Sequence, residues 1–443
     1  MSKQRSFFIE YVAKWFPSLA RIVEKVNGKR AEKLTYLHKT MLRQEFSVDG
    51  KWESASVDTT FVAADIVAMD SPLPLKKRDR IQAANGDLPK LGMRMQMNEK
   101  EIETLNIMIA RGGQHEEIAK KLTRDAVKCV TGIDERNEAV FQQGLSDGVV
   151  LVEDEKNVGA GIRVDFGYKD ENKFGVTVAW NDTANATPIS DIKKVIEASD
   201  NNVSVVMLSK RAYDLMRTSE EAKRLAANNA GVLVLENSIL ATPLPDAFNA
   251  AFLAETGCYF IVVDRTVKIE IDGEVTSYKP WNTNKVILLP TEDVGALVYS
   301  RLAEETVRVA GVEYTKANAY TLVSKYATNE PSLAEFTTSQ AKCLPVIENV
   351  DQIYQMDITQ AGTQGAGGLS SGLLGASAPI VPNVPPSGIE LFGKEFDKAT
   401  VIAACKEIGA SVNNKIGIPK LTEHIGKLSD EQKLQLQEIL IPE

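Results

Sequence analysis

The sequence predicts an α+β fold, and three observations carry that expectation. A helical period runs over 114–143, with Ile118, Leu122, Ala126, Cys129, Val130, Ile133, Val140 and Phe141 on one stripe and charges elsewhere. Before it, over 57–98, two alternating segments flank a polar tip that holds Pro72, Pro74, Lys76, Lys77, Arg78 and Arg80, the pattern of a long two-stranded excursion. After it, short period-two runs alternate with helical ones. A chain of 443 residues, 44% hydrophobic and 25% charged, has the length for two or three domains and the composition of a soluble globular protein.

In chain order, Phe7, Phe8, Tyr11, Val12, Trp15, Leu19, Ile22 and Val23 recur at three- and four-residue spacings, an amphipathic helix interrupted at Pro17. A terminal helix this aromatic needs a surface to dock on. Its own subunit and a neighbour both remain open, and Trp15 and Phe16 are the contact residues in the second case. The excursion, 57–100, buries too little to be stable alone. It must lie on something, for which another subunit is a natural candidate, with Pro72, Lys76, Lys77, Arg78, Arg80 and Lys90 as candidate contacts; a plain solvated turn is the other reading of the basic tip. The long helix would span about 45 Å, with Gly132 placed to bend it and Gly144 to end it.

The segments 149–152, 162–166 and 174–180 read as strands, the last two as a hairpin with one buried face. Thr187-Pro188 offers an N-cap and a first-turn proline to a helix carrying Ile189, Ile192, Val195 and Ile196. A strand at 203–208 leads to Ser209, which can cap a further helix. Short strands are expected at 258–263, 267–271, 274–278, 286–289 and 296–299, with Asp272-Gly273 a hairpin turn. A final strand pair is expected at 320–326 and 335–346. No residue of 360–389 is charged, and Gly, Ser, Ala and Pro dominate it, so it reads as a linker. Beyond it, 398–409, 418–428 and 430–440 read as three short amphipathic helices, the last opened by Ser429 with Gln432 as a capping box. Seven basic against nine acidic residues in 390–443 supply no nucleic-acid footprint.

Motifs that would carry chemistry are absent or incomplete. There is no Walker A string and no H-E-x-x-H; His115-Glu116-Glu117 lacks the second histidine and reads as a solvated first helical turn. Gly368-Leu369-Ser370-Ser371-Gly372 matches G-x-S-x-G, yet it sits in the uncharged tract without the strand and helix that a nucleophile elbow needs. His38, His115 and His424 are the only histidines, and none is an obvious triad base. The four cysteines, Cys129, Cys258, Cys343 and Cys405, form no C-x-x-C pair; buried free thiols are expected, with neither a disulfide framework nor a zinc site. No catalytic, cofactor or metal residue is assigned. No run is long and apolar enough to span a membrane, and charges interrupt the first ten residues, so the chain is expected to stay in the cytoplasm that made it.

Local text adds a resemblance. Val164-Asp165-Phe166-Gly167, Val176-Thr177-Val178-Ala179-Trp180, Pro188-Ile189-Ser190-Asp191-Ile192, Val205-Val206-Met207, Val286-Ile287-Leu288-Leu289-Pro290 with Gly295 and Tyr299, and Phe336-Thr337-Thr338-Ser339 through Leu344-Pro345 follow one another as in lambda-type major capsid proteins of tailed bacteriophages. The resemblance covers 1–357. It departs at Tyr168, where the family usually has a basic residue, and in the module after Gly388. It implies the tailed-phage capsid fold: an N-arm (1–56), an E-loop (57–100), a P-domain with spine helix (101–186), an A-domain (187–315) and return strands of the P-domain (316–359), followed here by the linker and helical module. It also implies a virion shell protein that self-assembles as hexamers and pentamers around double-stranded DNA, with scaffold, portal and decoration proteins as further partners.

A net charge of −9 suits a shell that encloses DNA without gluing to it. Some capsids of this fold crosslink lysine to asparagine; Lys76, Lys77, Lys90 and Asn349 are of those types, but no spacing selects them. An encapsulin-like compartment shares the fold and differs by holding an enzyme cargo instead of DNA. A cytoplasmic α/β enzyme, the remaining reading, would run as one small species and not as rings or particles.

Overall fold

The computed structural model describes residues 3–23, 36–57, 81–112, 115–153, 161–232, 240–271, 274–361, 388–391 and 394–397. The chain divides into two units, Met1–Ser370 and Ser371–Glu443. The first runs α1 (Ile9–Trp15), α2 (Leu37–Met41), β1 (Leu42–Phe46), β2 (Lys51–Val57), β3 (Ile81–Asp87), β4 (Lys90–Asn98), α3 (Glu99–Ala110) and α4 (His115–Asp147). It continues β5 (Val149–Glu153), β6 (Gly161–Asp165), β7 (Lys173–Val176), α5 (Pro188–Ala198), β8 (Val205–Ser209), α6 (Lys210–Thr218), α7 (Glu220–Asn229), α8 (Pro245–Thr256) and β9 (Tyr259–Val263). It ends β10 (Val267–Ile271), β11 (Glu274–Tyr278), β12 (Lys285–Leu289), β13 (Gly295–Ser300), α9 (Ala303–Thr306), β14 (Glu313–Lys316), β15 (Thr321–Thr328), β16 (Ala334–Ile347) and β17 (Tyr354–Ala361). In the second unit β18 (Gly388–Leu391) and β19 (Lys394–Asp397) form an antiparallel hairpin. The helices expected at 398–440 lie outside the described residues, as do most of 360–389, the Asp272-Gly273 turn, Cys405 and His424.

The spine helix α4 is 33 residues long, about 50 Å. Its stripe is apolar because it serves two cores. Ile118, Leu122, Ala126 and Val130 pack under the N-terminal helix, whereas Ile133, Val140, Phe141 and Leu145 face the sheets. Gly144 does not end the helix, which runs on to Asp147. At Gly144 a Cβ would lie 2.8 Å from Phe166 and 3.0 Å from Val150, and at Gly132 one would lie 2.5 Å from Met93 Sδ. Both let neighbours approach the helix closely, and Gly148, at φ +75°, follows its end.

Two sheets flank this helix. The larger has the order β1-β13-β16-β15-β14, with β4 also paired to β16; β1 lies parallel to β13 and the other neighbours are antiparallel. The smaller has the order β7-β17-β12-β8-β9. In its central strands Val206, Leu208, Val286 and Leu288 face the core under α5, α6 and α8, while Val205, Met207, Ile287 and Leu289 face the spine-helix core. Burial on both faces explains why these strands read as continuous apolar runs.

Several expectations are corrected. β6 pairs with β5, not with the strand after it, while β7 joins β17 at a sheet edge. The alternating Met93-Met95-Met97 segment belongs to β4 in the large sheet, so the described hairpin of the excursion is β2 with β3. β13 and β14 lie in the larger sheet and β17 in the smaller one. Thr187 flanks α5 without a side-chain cap, whereas Ser209 does cap α6 by accepting from the Ala212 N–H. Cys129, Cys258 and Cys343 are buried free thiols.

Gly144→Val should destabilise the subunit by about 1–3 kcal/mol through overpacking against Phe166 and Val150. Denaturant unfolding of the purified variant measures this, and unchanged stability would contradict the packing described.

Candidate assembly surface

The excursion is rooted before it departs. Gly50 takes a left-handed turn at φ +74°, and Ser47 Oγ accepts the N–H groups of Gly50 and Lys51, each at 3.1 Å. Trp52 on β2 is 5% exposed and its ring lies 6.3 Å from that of Phe166. The facing residue is Gly86, where a Cβ would lie 2.8 Å from the indole, so the glycine leaves room for the indole beside the partner strand. Beyond this anchor β2 and β3 form a sheet of two strands among the described residues, which is marginal without a further surface.

The N-terminal segment is held on its own subunit. Gln4 and Ala327 exchange both backbone hydrogen bonds at 2.9 Å. Ser6 Oγ donates to the buried Glu335, which also pairs with the buried Lys325 at 3.2 Å. Phe8, Val12, Trp15, Phe16 and Leu19 then fill a groove formed with Met97, Ile102, Leu105, Ile118, Leu122 and Val323. Trp15 and Phe16, named from sequence as contacts to a neighbour, are each 5% exposed inside this core. That corrects the assignment: the stripe finds its apolar complement within the chain, and Phe7 is the aromatic left outward, at 39% exposure.

A polar clamp fixes the return of this segment. Glu138, fully buried on α4, accepts the Leu37 and His38 N–H groups at 3.1 and 3.0 Å, His38 Nδ1 at 2.6 Å and Gln142 Nε2 at 2.8 Å. Asp134 accepts from Lys39 Nζ at 2.6 Å and Tyr320 Oη at 2.9 Å. Glu135 accepts from Tyr36 Oη at 3.0 Å and Arg265 at 2.6 Å, and the Arg265 guanidinium covers the Tyr36 ring at 4.4 Å. Burial, with Asp134 beside it, pushes the Tyr320 hydroxyl well above its ordinary range, so it stays a donor. For Glu138 burial acts upward, but the hydrogen bonds from His38 and Gln142 prevail and hold the carboxyl below the usual carboxylate range. The clamp delivers β1 to the sheet edge, where Phe46 is 44% and Val48 89% exposed.

The remaining sequence candidates divide plainly. Lys90 is exposed at the start of β4, opposite Lys342. Pro72, Lys76, Lys77, Arg78 and Arg80 lie outside the described residues. Sequence reasoning does not find the Trp52 anchor, nor the edge position of β9, whose Tyr259 and Val262 are 40% and 39% exposed. The Val48-Asp49-Gly50 turn was the available signal for the first. Nothing in a five-residue apolar run distinguishes an edge strand from a central one.

The buried titratable groups are poor material for catalysis. Burial pushes the Cys129 and Cys343 thiols up to about 12, where they are protonated and unreactive. His38 has no exposed surface for a substrate to reach. Among the described residues no group of three or more His, Cys, Asp or Glu is placed to hold a metal ion, and no helix is long and apolar enough to cross a membrane.

A spine helix between two sheets, with a rooted two-stranded extension and an edge strand supplied by the N-terminal region, defines a shell-subunit fold of the tailed-phage capsid class. The sequence profile of the family described as Phage major capsid protein E matches residues 35–358. The chain belongs to that family, and its function is to form the phage shell, in accord with the lambda-type resemblance.

Similar solved structures include an Escherichia coli prophage protein assigned as a capsid protein, 13% identical over 73% of this chain and 93% of that one at a TM-score of 0.46. They also include a phage-related protein from Bordetella bronchiseptica, 10% identical over 81% and 98% at 0.42, and an encapsulin from Synechococcus elongatus, 12% identical over 75% and 92% at 0.33. No curated protein matches the chain.

Glu138→Ala should cost about 3–5 kcal/mol, because it strands buried donors and breaks a buried pair. Since the folded carboxyl lies below its unfolded value, its contribution is present above the unfolded pKa and lost as pH falls through the folded one. Urea unfolding as a function of pH should therefore show a flatter acid limb in the variant. An unchanged limb would contradict the clamp.

Proposed function

We propose that this major capsid protein assembles through hexamers and pentamers into an icosahedral head that encloses double-stranded phage DNA, and that it performs no catalytic step. The supporting observation is the ribbon β2–β3, anchored at Trp52 and carrying no third strand among the described residues. Pairing it against an adjacent subunit converts a marginal element into buried interface. Residues 58–80, with Lys76, Lys77, Arg78 and Arg80, and the exposed Lys90 act as its contacts. The N-terminal segment takes part through its outward residues such as Phe7, and through β1. Closed rings limit growth. Scaffold, portal and decoration proteins are the further partners, assembly takes place in the host bacterial cytoplasm, and the module after Gly388 makes protein contacts.

Electron microscopy of the concentrated protein and of particles from expressing cells tests this reading. Closed particles containing DNA are the expected result. Particles filled with an enzyme cargo would favour a compartment, and a monomer at every concentration would refute shell assembly. Replacing residues 60–78 by a short Gly-Ser turn should leave a folded subunit whose particle yield falls at least tenfold; normal yield and size would count against the ribbon's role.

A further inference from the structure

The exposed face of the first half of α4 carries Lys120, Lys121, Arg124 and Lys128. The helical period places them within about 100° of one another and opposite Ile118, Leu122, Ala126 and Val130, which face the core. Lys121 Nζ approaches Met108 Sδ at 3.4 Å. Among the described residues none of the four lies within ion-pair distance of a carboxylate, whereas Lys173, Lys193, Lys210, Lys223 and Lys279 elsewhere on the surface each have one. Asp125 lies beside the stripe, where burial raises its carboxyl above the usual range and the charges of Lys325, Lys128 and Arg124 oppose that rise.

Lys120, Arg124 and Lys128 stand at i, i+4 and i+8, a spacing at which like charges destabilise a helix. Glu116 and Glu117 in the first turn and Asp125 beside the stripe offset part of that cost, but none of them is within ion-pair distance of the four cations. A net charge of −9 makes such a concentration of cations notable. Farther along the same face the helix is acidic and already covered, by Lys39 at Asp134 and by Arg265 at Glu135.

We propose that this stripe binds the phosphate backbone of nucleic acid, and that this half of the spine helix therefore faces the packaged DNA. The inference rests on the proposed shell function and extends it by assigning an inner face. Charge complementarity selects the partner. The stripe holds no large apolar side chain of the kind that centres a protein–protein interface, in which lysine is depleted. It is about 12 Å long, a length over which a duplex presents about seven phosphates. Long, separately mobile cations suit contact without sequence reading.

The test uses unassembled full-length subunits, a 30-base-pair duplex and fluorescence anisotropy between 25 and 200 mM NaCl. The triple variant K120Q/R124Q/K128Q should bind at least tenfold more weakly at 50 mM salt. Its dependence of log K on log salt should be shallower by about 2.7, at about 0.9 per phosphate contact. The control K210Q/K223Q/K279Q, with the same change in net charge, should bind as wild type does. Three results would overturn the proposal: no binding by wild type, equal losses in both triples, or a stripe variant that loses binding to polyglutamate but keeps binding to DNA, which would mark an acidic protein partner. Because free subunits are read, failure here is separate from failure of shell assembly, which microscopy of the same preparations reports.

Discussion

Three carboxylates on consecutive turns of one helix, Asp134, Glu135 and Glu138, set the constraint that the rest of the subunit obeys. Asp134 and Glu138 are fully buried, and an uncompensated charge there would cost several kcal/mol. Their partners come from places far apart in the chain: Tyr36, His38 and Lys39 from the N-terminal return, Arg265 from the corner after β9, and Tyr320 from the strand turn before β15. Satisfying the carboxylates therefore fixes three parts of the subunit against one rod. The apolar stripe on the rod's other side supplies most of the burial, while the polar side specifies which segments meet there.

The location of that clamp bears on assembly. It sets where β1 lies along β13, and so where Phe46 and Val48 are exposed. The ribbon β2–β3 begins only a turn later and is anchored again by Trp52 against Phe166, next to the helix terminus at Gly148. A shell subunit needs a stiff body from which extensions leave at a defined angle, because a small error at each joint accumulates around a closed ring. Two anchors, one polar and one aromatic, on successive parts of the same short stretch of chain meet that need.

Much of this was legible in the sequence, for reasons that can be traced to particular residues. The spine helix announced itself because its core stripe holds a 3.6-residue period over many turns, and Ser209 was read as a cap because its hydroxyl precedes a helical pattern directly. β8 and β12 were found as apolar runs, since burial on both faces leaves no alternation to misread. Pairing was not legible: 174–180 alternates as a hairpin strand should, yet β7 pairs with a strand nearly two hundred residues later. Gly144 resembles a helix end, because the sequence does not display Phe166 pressing on it. Asp134, Glu135 and Glu138 read as the solvated side of an amphipathic helix, since periodicity marks a polar face without saying what covers it. Trp15 and Phe16 failed as surface contacts for the converse reason, as an apolar stripe does not say whose groove receives it.

In the proposed assembly the spine-helix body is complete in the single subunit, and the ribbon gains its further surface from a neighbour. Amide hydrogen exchange on free subunits and on assembled particles tests it directly. Residues 133–145 should be strongly protected in both, and 51–57 and 81–87 should gain protection of at least a hundredfold on assembly. Equal protection of the ribbon in the free subunit, or a spine helix that becomes protected only in particles, would contradict it.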